Sequence, residues 1–178
     1  MSIKVPIIAY ILNVYPASIS SNRLAMPSFW TKQMINEAFV EANRIWAQAK
    51  IEFGPIEFTE RDIHVRDTDR EMWWDFTNEL SPKRGIGAGF VYDFPGPEGG
   101  IGGGKIALVG QRKGVGARDG FLGGLLAHEL GHVLIDHTHR AERHNLMYES
   151  RSATAVTRDV LEKEQITTAL ATAARLAA

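Results

Sequence analysis

The chain has 178 residues, 44% of them hydrophobic and 23% charged, the composition of one globular domain of ordinary size and not of a disordered chain. Lys and Arg number 20 against 21 Asp and Glu, so there is no basic excess to bind nucleic acid or an anionic membrane surface. Cysteine is absent, which excludes disulfides, a thiol nucleophile and every cysteine-based metal site.

No apolar run reaches the roughly 18–20 residues that span a bilayer. After Lys4, the run Val5 to Leu12 reads as a buried strand, being β-branched and about eight residues long. It holds Pro6 and lacks a small-x-small cleavage site, so it does not read as a signal peptide. The expectation is a chain in the cytoplasm, or one exported as an effector by a signal-less route. Residues 16–28 read as a polar loop. A helix is expected from Ser28 to Ala49, with Ser28 as its N-cap. Its apolar residues Ile35, Ala38, Phe39, Ala42, Ile45, Trp46 and Ala49 fall on one 3.6-residue stripe. Ile51 to Phe53 alternates like a strand, Gly54-Pro55 breaks it, and Ile56 to Phe58 can resume it. Residues 62–84, with Met72, Trp73, Trp74, Phe76 and Leu80, read as a short helix or a packed loop. Ile86 to Phe94 reads as a strand, Pro95 to Gly100 as a loop, and Gly102 to Val109 as a glycine-flanked strand. After a loop from Gly110 to Gly120, helices are expected at Phe121 to Ile135 and Arg158 to Leu176. In the last of these Val160, Leu161, Gln165, Ile166, Ala169, Leu170 and Ala173 share a helical register. Strands blocked between helices predict a mixed α/β or α+β sheet with helices packed on it.

His128-Glu129-Leu130-Gly131-His132 is an H-E-x-x-H pentapeptide. Residues four apart share a helix face, so both imidazoles can reach one metal ion, and zinc suits neutral imidazole. Glu129 can take a proton from an attacking water and hand it to a leaving amine. Leu125, Leu126, Leu130, Val133 and Leu134 surround the motif and would bury its helix, which holds ligands rigidly. A catalytic site needs a third ligand, and Asp136, His137, His139 and His144 all follow the helix. Asp136 has a second candidate role, as an acceptor that fixes a ligating imidazole.

This stretch, with His139 and then Asn145-Leu146-Met147-Tyr148, resembles the metzincin zinc peptidases, whose pattern is H-E-x-x-H-x-x-G-x-x-H followed by a methionine turn. The resemblance is to the matrixin branch, where the third histidine stands eight residues before the methionine, as His139 does before Met147. Two departures stand out. Ile135 occupies the glycine position, and His139 falls seven residues after His132 instead of six. The specific likeness covers residues 121–149.

What the resemblance implies is an α+β fold: a small mixed twisted sheet, a long N-terminal helix, an active-site helix, a methionine turn and a C-terminal helix. It implies a single zinc-peptidase domain over 1–178, with the sheet in 1–120 and the active-site helix, turn and last helix in 121–178. It implies one catalytic zinc held by His128, His132 and His139, Glu129 as general base and acid, and Met147 as the apolar floor beneath the ligands. The expected partner is a peptide or protein substrate, bound as an added strand along a sheet edge such as Gly102–Val109; a plain glycine-rich hairpin is the alternative there.

Other candidates carry less. A gluzincin-like peptidase would draw its third ligand from Glu162 or Glu164, and a non-catalytic metal-binding module would not need Glu129. Tyr148 reads as a packed aromatic, and His64 as a strand or surface residue. Trp30, Trp73 and Trp74 read as core or loop packing, and Arg140, Arg143 and Arg151 either as groups favouring acidic substrate residues or as a solvated rim. Gly102-Gly103-Gly104-Lys105 lacks the P-loop pattern, and residues 85–120 show no carboxylate set spaced for calcium. No pro-segment is expected.

Overall fold

The computed structural model describes residues 1–16, 28–65, 69–92, 99–110, 121–148 and 159–178. The loops expected at 17–27, 95–98 and 111–120, Phe94, Arg151, Arg158 and the side chains of Trp73 and Trp74 lie outside the described structure; the last helix begins at Lys163 and not at Arg158, so Val160 and Leu161 precede it, Val160 being held in a bridge to Asn145. Among the described residues the fold is mixed α and β. One sheet holds β1 (Ile3–Pro16), β2 (Ile51–Val65), β3 (Ile86–Val91), β4 (Gly100–Gly103) and β5 (Ile106–Gly110). The helices are α1 (Lys32–Trp46), α2 (Asp69–Leu80), α3 (Phe121–Leu134) and α4 (Lys163–Ala177). No described helix is long and apolar enough to cross a membrane.

The sheet order is β2-β1-β3-β5-β4. β1 pairs in parallel with β2 and β3, β3 pairs in parallel with β5, and β4 alone runs antiparallel, on β5. β3 and β5 are buried on both faces, which is why they read as apolar runs without alternation. On one face Val5, Ile7, Ala9, Phe90 and Val109 meet α1, α3 and α4; on the other, Tyr10, Leu12, Ile106 and Leu108 pack with Phe76 and Leu80 of α2.

α1 buries six of the seven stripe residues expected of it, and Ala49 is buried in the 3-10 turn that follows. Its cap is Thr31, whose hydroxyl accepts from Met34 N, and not Ser28. Ser28 is committed elsewhere: its Oγ donates to Phe90 O and its N–H donates to Asn13 Oδ1. Trp30 is buried, donating Nε1–H to Val91 O, as core packing predicts.

β2 does not break at Gly54-Pro55 but runs on past the expected 56–58 to Val65, taking in His64. Proline lacks an N–H, and an edge strand has a side that needs none. The pairing with β1 shifts register beside it, between Val5 and Ile7. Residues 69–80 form a helix, not a packed loop. The expected strand at 102–109 is a hairpin of β4 and β5, turned at Gly104, whose φ of +58° is a left-handed conformation that glycine adopts freely.

α3 is largely apolar and packs against α1, β4, β5 and α4, leaving its two histidines half-buried. Trp46 of α1 donates its indole N–H to Ala127 O, tying the two helices together. On the opposite side β4 lies directly on α3. A methyl on Gly102 would stand 2.1 Å from the Glu129 carbonyl oxygen and 2.8 Å from His132 Cβ. Only a residue without a side chain lets the strand come this close.

Candidate metal centre

His128 and His132 lie one turn apart on α3, and each ring is fixed by a backbone carbonyl. His128 Nδ1 stands 2.6 Å from Leu146 O, and His132 Nδ1 stands 2.9 Å from Asp136 O. A carbonyl can only accept, so each Nδ1 carries the proton. Burial also pushes the His132 pKa down, which favours the neutral ring. In that tautomer both Nε2 atoms present lone pairs, and they face each other at 3.1 Å. Two acceptors at that distance repel unless a cation lies between them.

The third imidazole is His139. One ligand nitrogen from each of His128, His132 and His139 lies within 4.8 Å of the others. The His139 ring is nearly parallel to that of His128 at 5.3 Å and edge-on to that of His132 at 5.0 Å. Nitrogens held at about 2.0–2.1 Å by one tetrahedral ion stand about 3.3 Å apart, so three rings that close need only small adjustments to share one. The three histidines can therefore bind a metal ion. His128 and His132 are half-buried and His139 is exposed, so the group opens to solvent.

The other ligand candidates lie outside this group, although the His137 ring stacks on that of His132 at 6.1 Å. His137 is exposed, with its ring against Gly103 of β4. His144 is exposed on the loop that leads to Met147. Glu162 caps α4, where its side chain accepts from the backbone at Gln165, and Glu164 is exposed in the first turn. His64 is exposed on β2 beside Tyr15.

Asp136 does fix a ligand ring, as the acceptor expected, and it does so through its backbone carbonyl. The carboxylate has a different task. Its Oδ1 accepts from Thr138 N at 2.8 Å and from Thr138 Oγ1 at 2.5 Å, an Asx turn that carries the chain out of α3. No non-glycine residue between 135 and 139 has positive φ. The chain thus leaves α3 through this turn without a left-handed residue.

The loop from His139 to Tyr148 then folds back beneath the group. Arg140 N–H donates to Met147 O at 2.8 Å, closing the loop next to His139. Met147 is fully buried, and a methyl on Gly131 would stand 2.3 Å from its Sδ. Met147 therefore forms an apolar floor against the turn of α3 that carries both histidines. Tyr148 is half-buried and donates its N–H to Asn145 O.

Glu129 follows the first histidine and faces β4: a methyl on Gly100 would stand 2.8 Å from Glu129 Oε1. It is buried, and that burial pushes its carboxyl up to about 8. A cation bound nearby would pull this value back down. Outside the glycine contacts, β4 presents an edge. Gly110 N–H donates to Gly99 O, so by antiparallel alternation the N–H and C=O groups of Gly100 and Gly102 point away from β5. No described strand pairs with that side.

Sequence reasoning missed the carbonyl of Asp136, the glycines of β4 as spacers against α3, and the buried side chains of Asn145 and Gln165. A polar Gln165 inside an apolar helical register was the one local signal for the last pair. No protein-family model matches this sequence, and no curated protein is similar enough to it to count as a relative.

Proposed function

We propose that the chain is a zinc-dependent endopeptidase of metzincin type. The observation that carries the reading is the convergence of His128, His132 and His139 on one point, with Glu129, the residue after the first of them, buried against the β4 strand. Three imidazoles with solvent access match a catalytic zinc site, in which three protein ligands leave a position open. His128, His132 and His139 would hold the ion. When bound, zinc supplies Lewis-acid polarisation of the scissile carbonyl and makes water a better nucleophile at neutral pH. Glu129 takes the proton from the attacking water on its carboxylate and delivers it to the leaving amine. The outward N–H and C=O groups of Gly100 and Gly102 hold an extended peptide by strand addition, which brings its backbone to the carboxylate. The one-residue departure at His139 is absorbed by the Asp136 turn, and His139 keeps its eight-residue distance to Met147.

The test is digestion of a mixed-sequence peptide library by zinc-loaded protein, read by mass spectrometry beside the Glu129→Gln variant. Cleavage by the wild-type chain is expected, with a loss of at least about 10²-fold in the variant and unchanged zinc content. Equal activity of the two proteins, or zinc binding with no cleavage of any peptide, would overturn the reading; the second result would leave a non-catalytic metal-binding module.

A further inference from the structure

The loop that carries His139 and Met147 is braced by α4 through two buried amides. Asn145 is 3% exposed and Gln165 1%. Asn145 Nδ2 donates to Gln165 Oε1 at 2.9 Å, and Gln165 Nε2 donates back to Asn145 Oδ1 at 3.1 Å. Each oxygen takes a second donor: Met147 N–H donates to Asn145 Oδ1 at 2.8 Å, and Glu162 N–H donates to Gln165 Oε1 at 2.8 Å. Reversing the Gln165 amide would set its NH₂ against two N–H donors, so the orientation is determined by the network.

The network reaches the metal centre in two steps. The Glu162 N–H, at the start of α4, fixes Gln165, and Gln165 fixes the plane of the Asn145 amide. That amide holds Met147 N–H. The carbonyls on either side of this nitrogen are the ones that matter: Leu146 O receives the His128 Nδ1 proton, and Met147 O receives Arg140 N–H beside His139. Two successive peptide units thus set one ligand ring directly and the chain position of another.

We propose that Gln165 is a positioning residue for the metal centre. Through Asn145 it holds the Leu146–Met147 peptide in the orientation that aims His128 and His139 at one point. The proposal rests on the reading of the three histidines as a metal site. It concerns a residue on a different helix, 26 positions beyond His139 in the chain.

The test compares two variants of the full chain. Gln165→Met keeps the side-chain length and removes both polar atoms. Leu176→Ala destabilises the same helix by leaving a cavity, about 16 Å away along its axis. Chelator competition should show zinc affinity weakened about 10- to 100-fold in Gln165→Met, the range for a partner that orients a ligand. Affinity should stay within about twofold of wild type in Leu176→Ala. The cobalt-substituted absorption spectrum should change only in Gln165→Met. Equal effects in the two variants would mean Gln165 is merely structural, and wild-type affinity and spectrum in Gln165→Met would mean it does nothing for the site; either overturns the proposal. If Gln165→Met does not fold, the wild-type chain still decides. Coupling is reciprocal, so zinc must shift the side-chain amide resonances of Asn145 and Gln165 and slow their exchange. Resonances unmoved by zinc would overturn the proposal. A wild-type chain that fails to bind zinc overturns the metal reading itself, whereas zinc binding without a Gln165 effect overturns this inference alone.

Discussion

Two glycines on one helix should answer the same substitution with opposite signs. Gly131 lies between the two histidines of α3, facing Met147; Gly124 lies two turns earlier, and a methyl there meets nothing within 4 Å. Alanine favours a helix interior over glycine by about 1 kcal/mol, so Gly124→Ala should stabilise the chain by about that amount. At Gly131 the same gain is opposed. The new methyl would stand 2.3 Å from Met147 Sδ, far inside contact distance, and Met147 is fully buried with no open side to move toward. Overpacking of a core costs about 1–3 kcal/mol, and an approach this close belongs at the upper end. The net for Gly131→Ala is a loss of about 2 kcal/mol. For a chain of this size 1 kcal/mol moves Tm by about 2–4 °C. Thermal unfolding should therefore show Gly124→Ala about 2–4 °C above wild type and Gly131→Ala about 4–8 °C below it. Because the displaced Met147 peptide also orients His128, zinc affinity should fall in Gly131→Ala and hold in Gly124→Ala. A Gly131→Ala protein as stable as Gly124→Ala, with wild-type affinity, would refute the floor assigned to Met147.

Further outcomes follow from the same geometry. His139→Ala should weaken zinc binding by orders of magnitude in a chelator titration while His137→Ala changes it little; the reverse ranking would move the third ligand to His137. Thr31→Ala should cost about 1 kcal/mol, lowering Tm by about 2–4 °C with zinc affinity unchanged, because Thr31 caps α1 far from the metal centre. A loss of zinc affinity in that variant would show that α1 is coupled to the site.

The parts of this chain that were legible in its sequence are those whose information is local. His128 and His132 are read from a four-residue spacing, and the α1 stripe from a period of 3.6. Where a residue's task depends on a distant partner, local reading fails in a definable way. Ser28 and Thr31 are both hydroxyl residues near a helix start. Only the position of the β3 carbonyl at Phe90 decides that Ser28 bonds to the sheet and Thr31 caps the helix. Gly54-Pro55 reads as a break because the sequence does not reveal that β2 is an edge, with one side that needs no donor. Gly100, Gly102 and Gly103 have no side chains and so give no periodicity; their role appears only when α3 is laid against them.

The metal centre divides along the same line. Two ligand rings come from one helix and are fixed by the α-helical repeat. The third depends on a turn in which the Asp136 carboxylate gathers the Thr138 N–H and hydroxyl while the Asp136 carbonyl holds His132. Those two uses of one residue explain how a chain with Ile135 where the resemblance expects glycine still returns a histidine to the same point. The exit from α3 needs no left-handed residue where the Asp136 carboxylate closes the turn.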